Sequence, residues 1–150
     1  MKNIFTQEVT QEIIDRINKL TPETKALWGK MNVAQMLAHC NVTYELVYEN
    51  KIPKAKGLKR FLLTLFIKKT VVGDTPYKKN SQTAPHFLMK EDKDFEKEKA
   101  RLIAYLEKTQ ELGVSHFEGK ESNSFGPLNS NEWNNMFYKH LDHHLGQFNV

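Results

Sequence analysis

Apolar residues recur at intervals of three and four positions in four segments of the chain, which is the spacing of amphipathic helices. The pattern predicts helices from about Thr6 to Leu20, from Asn32 to about Glu49, from about Asp92 to Gly113 and from Asn129 to Phe148. The expected inner faces comprise Val9, Ile13, Ile17 and Leu20; Val33, Met36, Leu37, Cys40, Tyr44 and Val47; Phe95, Leu102, Ile103 and Leu106; and Trp133, Phe137 and Leu141.

Turn-forming residues interrupt this pattern between the helices. Pro22 to Lys30 is expected to be a connector in which Trp28 is anchored against the core. Val72 to Pro85 and Val114 to Leu128 are expected to be loops, since both are rich in glycine, proline and small polar residues. Four long helices with few strand signals favour an all-α fold, a four-helix bundle with a long connection between the second and third helices. We expect one such domain over residues 1–150.

Within the long connection, Leu58 to Thr70 has an apolar centre and basic ends. Its seven central residues, Phe61 to Ile67, include one polar position, Thr64. Such a run suits a short helix that covers one end of a bundle or forms a subunit contact, and it also suits a helix on an anionic membrane surface. We favour packing, because short apolar runs are usually core, and we expect a homodimer.

Composition narrows the class of protein. With 39% hydrophobic and 27% charged residues the chain is typical of a globular protein, and no apolar run approaches the roughly 18 residues of a membrane span. A single cysteine, Cys40, and an N-terminus without a signal-peptide pattern favour the cytoplasm. The 22 basic and 18 acidic residues are intermixed and no nucleic-acid motif is present, so a nucleic-acid partner is not expected.

The last predicted helix carries histidines on its apolar face. Trp133, Phe137, His140, His144 and Gln147 are separated by four, three, four and three positions, which places them on one continuous stripe. Two imidazoles therefore lie one turn apart where the core of a bundle is expected. Because burying an imidazole without polar partners is costly, this stripe calls for a ligand or a hydrogen-bond network.

A metal site needs at least a third ligand, and His39 is the candidate. It lies at the edge of the predicted inner face of the second helix, whereas His86 and His116 fall in predicted loops and are expected at the surface. Two interpretations stay open at this point. His39, His140 and His144 either share a metal ion or are core histidines that hydrogen bond to other groups.

Three segments resemble the DinB-like superfamily, and in particular a bacterial branch that is described only as a domain of unknown function. The segments are WGKMNVAQMLAHC at Trp28–Cys40, TPYKKNSQTAPHFLMKEDKDFEKEKARL at Thr75–Leu102 and YKHLDHHLGQF at Tyr138–Phe148. The resemblance therefore covers nearly the whole chain. It implies a four-helix bundle in which the second helix supplies one metal ligand and the last helix supplies two.

Carried over position by position, the implied ligands are His39, His140 and His144. His143 is a competitor for His144, but it lies nearer the polar edge of the helix and is expected beside the site or in solvent. The implied ion is divalent, and zinc, nickel and iron(II) all accept three imidazoles.

Superfamily members with assigned activity resemble thiol-dependent transferases, so the resemblance implies a small-molecule thiol and an electrophile as partners. The alternative is a non-catalytic metal-binding or stress-associated protein in which the ion mainly ties helices together. Cys40 is expected to be a packing residue and Asp142 to be solvated. The sequence identifies no catalytic residue.

Overall fold

The computed structural model describes residues 1–49 and 51–150, and this part of the chain is mostly helical. Six α-helices and one 3₁₀ turn make the described residues 58% helical, which agrees with the expected all-α class. None of these helices combines the length and apolarity that crossing a membrane requires. The helices are α1 (Gln7–Asn18), α2 (Val33–Tyr48), α3 (Gly57–Phe66), α4 (Lys68–Val72), α5 (Phe95–Phe117) and α6 (Ser130–Gln147), with a 3₁₀ turn (Pro85–Phe87) and strands β1 (Glu121–Ser122) and β2 (Gly126–Pro127).

Side-chain caps determine where the long helices begin. Asn32 and Asn129 each accept a hydrogen bond from the backbone three residues on, while Gln35 and Glu132 bond back to the cap residue. Asp94 caps α5 in the simpler way, through its carboxylate alone. The starts predicted at Asn32 and Asn129 are therefore confirmed.

The core lies where α1, α2, α5 and α6 pack against one another. Tyr44 of α2 is stacked between Phe137 of α6 and Tyr105 of α5, with ring centroids 5.1 Å and 5.6 Å away. Burial of each large apolar side chain contributes about 1.5–3 kcal/mol, so this packing fixes α2 against α6. The fully buried residues include Ile13, Ile17, Met36, Leu37, Leu102, Leu106, Trp133 and Phe137.

A kink at Gly113 divides α5 into two helical pieces, so the helix breaks at the predicted residue. Its φ of 69° and ψ of 178° lie outside the helical region, and a second short helical piece continues as far as Phe117. The prediction of a loop from Val114 to Leu128 is wrong in part, because it includes this piece and a short antiparallel ladder of β1 and β2. The extra turn buries Phe117, which stacks on Phe5 at 5.1 Å, and this burial favours continuing the helix.

The segment from Leu58 to Thr70 is helical, but its apolar side chains are not core. No residue of α3 is buried, so the helix does not form part of this chain's core, and the expected subunit contact stays a prediction. The following helix, α4, packs on α6, where buried Lys139 donates a hydrogen bond to the carbonyl oxygen of Thr70 at 2.8 Å. The run of apolar residues correctly indicated a helix, but whether its side chains are buried depends on whether another element packs against them.

Candidate metal centre

Three histidines converge where α2 faces α6. One nitrogen from each of His39, His140 and His144 lies within 4.8 Å of the other two. The Nε2 atoms of His39 and His140 are 3.0 Å apart, although 101 residues separate them in the chain. His39 and His144 are buried, and His140 is half-buried. The structure therefore brings together the three residues that the sequence singled out.

Carbonyl oxygens fix the tautomer of two of these rings. His39 donates from Nδ1 to the backbone oxygen of Phe87 at 2.9 Å, and His144 donates from Nδ1 to Oε1 of Gln147 at 2.8 Å. The Gln147 amide is itself oriented, because its Nε2 donates to the backbone oxygen of Trp28 at 2.6 Å. A carbonyl oxygen can only accept, so in both neutral rings Nδ1 carries the hydrogen and Nε2 is a bare acceptor.

His140 allows two hydrogen-bond arrangements. Its Nδ1 lies 3.0 Å from the hydroxyl oxygen of Thr43, which can donate or accept. If Thr43 donates, His140 Nε2 donates to His39 Nε2 and the pair is satisfied without an ion. If Thr43 accepts, two bare Nε2 atoms face each other at 3.0 Å, and a cation relieves the repulsion between their lone pairs.

The Nε2 atom of His144 has no protein partner in either arrangement. Within the described residues, the hydrogen bond from Nδ1 to Gln147 is the only one that the His144 side chain makes. The arrangement without an ion therefore gives His39 Nε2 a protein donor and gives His144 Nε2 none. A shared cation would give all three Nε2 atoms one common partner, so the donor set fits a metal ion.

Burial favours the neutral form that metal ligation requires. Removal from water lowers the pKa of His39 from its ordinary value, against the opposing hydrogen bond to Phe87. Burial first, and the neighbouring imidazoles second, lower the pKa of His140 well below its ordinary value. Burial and the proximity of His39 lower the pKa of His144 to about 3. All three rings are therefore neutral near pH 7, which is the state that binds metal ions.

His143 lies outside the three-histidine group. Its half-buried ring sits against Tyr77, with centroids 5.6 Å apart, and against Trp28, with centroids 6.0 Å apart. Lys79 lies over the same Trp28 ring at 4.2 Å. These side chains form a rim beside the cluster, and Trp28, which was expected to anchor in the core, is half-buried in that rim.

The remaining candidates have other surroundings. Cys40 is buried, its Sγ lies 3.8 Å from the sulfur of Met36, and burial raises the pKa of its thiol, all of which agrees with a packing role. Asp142 is exposed and pairs with Arg16 at 2.8 Å. His86 and His116 are exposed as expected, although His116 lies in the last turn of α5 and not in a loop.

Sequence reasoning missed the contribution of Phe87. Its backbone carbonyl orients His39, and its ring lies 5.2 Å from that of His39. No side-chain pattern identifies a residue that acts through its backbone oxygen. The sequence places Gln147 on the same stripe as His144, three residues further on. This spacing allows their hydrogen bond, but the sequence pattern did not predict it.

The structure is therefore that of a mostly helical protein with a cluster of three histidines between two of its helices. The model of a family described as "Protein of unknown function (DUF1569)" matches residues 3–150, and the chain belongs to that family. No curated protein and no solved structure matches the chain.

Proposed function

We propose that this protein binds one divalent metal ion through the Nε2 atoms of His39, His140 and His144. The observation that carries the proposal is that acceptor-only oxygens from Phe87 and Gln147 leave the Nε2 atoms of His39 and His144 bare. One nitrogen of each of the three rings also lies within 4.8 Å of the other two. Metal-ligating histidines commonly donate their other nitrogen to such a partner, which fixes the ring and raises its basicity. Zinc, nickel and iron(II) all suit three imidazoles.

The wider setting of the proposal is a DinB-like four-helix bundle formed by residues 1–150. Support comes from the mutual packing of α1, α2, α5 and α6 and from the long connection between α2 and α5. It also comes from the positions of the histidines, one on α2 and two on α6, which match the ligand motifs of the resemblance. Bundle cores built from facing helices are common metal sites.

The test of metal binding is calorimetric titration of zinc, nickel and iron(II) into untagged, metal-free protein at neutral pH, with iron(II) kept anaerobic. We expect one equivalent of at least one ion to bind. At a free-ion concentration a hundredfold above Kd, the free energy of unfolding should rise by about 2.7 kcal/mol, because the ion binds the folded chain. Absence of both binding heat and stabilisation for all three ions would contradict the proposal.

For the activity, we propose a metal-dependent thiol transferase that acts on small electrophiles. Within the described residues, the cluster contains three potential ligands and no fourth histidine, cysteine, aspartate or glutamate, which is typical of an open site. A divalent ion held by neutral ligands lowers the pKa of a thiol or water bound to it. The protein's own part is to keep three imidazoles neutral and oriented beside the rim of Trp28, Tyr77 and His143.

The activity is tested by assaying metal-loaded protein with several bacterial thiols and model electrophiles. We expect at least one pair to react faster than with metal-free protein, and we expect His140→Ala to remove the acceleration. If the metal binds but accelerates no pair, the ion acts as a tie between α2 and α6. That outcome would favour the alternative of a non-catalytic metal-binding or stress-associated protein.

A further inference from the structure

The α3 helix exposes an apolar face that the rest of the described chain leaves uncovered. Leu58, Phe61, Leu62, Leu65 and Phe66 follow the spacing of one helical stripe, about 140° wide. Each of these side chains is between 44% and 72% exposed. An exposed apolar stripe of this kind marks a contact with something outside the chain, because a solvated connector gains nothing from it.

The opposite side of the segment is held by the protein. Leu63 is half-buried, Arg60 lies 3.5 Å from the carboxylate of Glu121 on β1, and Lys68 pairs with Glu132 of α6 at 2.7 Å. These contacts orient α3 so that its apolar stripe faces outward. The exposed face of α3 is therefore available to a partner, while its other side is attached to the protein.

The charge of the segment indicates what the partner is. Residues 51–73 contain seven basic residues and no acidic residue. Lys56, Lys59 and Lys69 make no ion pair within the part of the chain that is described, and all three are exposed. A second copy of the chain would bring two such positive segments together, so the charge disfavours a dimer through this face. An anionic surface complements it.

We propose that α3 docks on an anionic lipid surface. Its apolar stripe enters the boundary between head groups and acyl chains, and Lys56, Lys59 and Lys69 contact the negatively charged head groups. An amphipathic helix with a leucine- and phenylalanine-rich face and flanking lysines has the composition of interfacial helices. The electrostatic attraction adds to the binding free energy from apolar burial, so binding depends on both the lipid charge and the salt concentration.

The test is co-sedimentation of the 150-residue protein with phosphatidylcholine vesicles, with and without phosphatidylglycerol. We expect binding to the anionic vesicles that is at least about tenfold stronger than to neutral ones and that weakens as salt rises. Leu65→Glu should abolish sedimentation without unfolding the protein, since Leu65 is 59% exposed. The matched control is Leu27→Glu, at a leucine 62% exposed outside the segment, which should sediment like the wild type.

Three results would overturn the proposal. The first is no sedimentation with anionic vesicles, and the second is equal sedimentation of Leu65→Glu and wild-type protein. The third combines two observations. Light scattering detects a dimer that Leu65→Glu dissociates, and the wild-type protein does not bind vesicles. That last outcome would assign the face to a second copy of the chain, and circular dichroism of each variant excludes unfolding as the cause.

Discussion

Replacing His140 by alanine is expected to weaken binding of a divalent metal ion at least about a hundredfold. His140 supplies one of three proposed ligands, and even loss of an outer hydrogen-bond partner of a ligand commonly costs ten- to a hundredfold. The same loss is expected for His39→Ala and His144→Ala, because all three nitrogens lie within 4.8 Å of one another. Calorimetric titration of each folded variant measures the effect.

The matched control for this series is His143→Ala. His143 adjoins His144 on α6 and is half-buried, but its ring rests against Tyr77 and Trp28 and lies outside the cluster. We expect its affinity to stay near the wild-type value. If His144→Ala binds normally and His143→Ala does not, the assignment of the third ligand is wrong. Normal binding by all four variants would mean that no such site exists.

The second large effect concerns the metal-free protein, which we expect to lose stability as the pH falls below about 6.5. In the unfolded chain His144 takes up a proton near pH 6.5, whereas in the folded chain burial lowers the pKa of His144 to about 3. Between these values the unfolded state binds a proton that the folded state excludes, so acid favours unfolding. At 1.36 kcal/mol per pH unit, His144 alone accounts for about 2 kcal/mol between pH 6.5 and pH 5.

Denaturant unfolding with a chelator present, at several pH values from 7 to 5, measures this loss. The burial that lowers the pKa values of His39 and His140 steepens the dependence in the same direction. The useful comparison is with His144→Ala, which should take up about one proton fewer on unfolding and show a shallower slope. An identical slope in the two proteins would show that His144 is not held neutral in the folded state.

Local signals explain why much of the helical framework was predictable. Asn32 and Asn129 are followed three residues later by Gln35 and Glu132, and this spacing specifies the observed capping boxes. The glycine signal at Gly113 marks the kink in α5, but the helical piece after it was not predictable in the same way. That piece forms because Phe117 is buried against distant residues, which the local pattern does not reveal.

The sequence likewise indicated the candidate ligands of the site but not the groups that orient them. The i to i+4 spacing of His140 and His144 on an apolar face is visible in the sequence, and so is the position of His39 at the edge of the second helix's inner face. The atoms that orient the rings were harder to foresee, because the Phe87 carbonyl lies 48 residues from His39 and acts through the backbone. The sequence also left open whether α3 is exposed, since apolar residues alone do not distinguish a buried helix from one that contacts a partner.

The most direct test of the central claim is a crystal structure of the protein loaded with zinc at neutral pH. The account predicts one zinc ion bonded to Nε2 of His39, His140 and His144 at about 2.0–2.1 Å, the usual length of such bonds. It also predicts that the Nδ1 bonds to Phe87 and Gln147 persist. Zinc bound elsewhere, or His140 Nε2 still hydrogen bonded to His39 Nε2 with no ion between them, would contradict it.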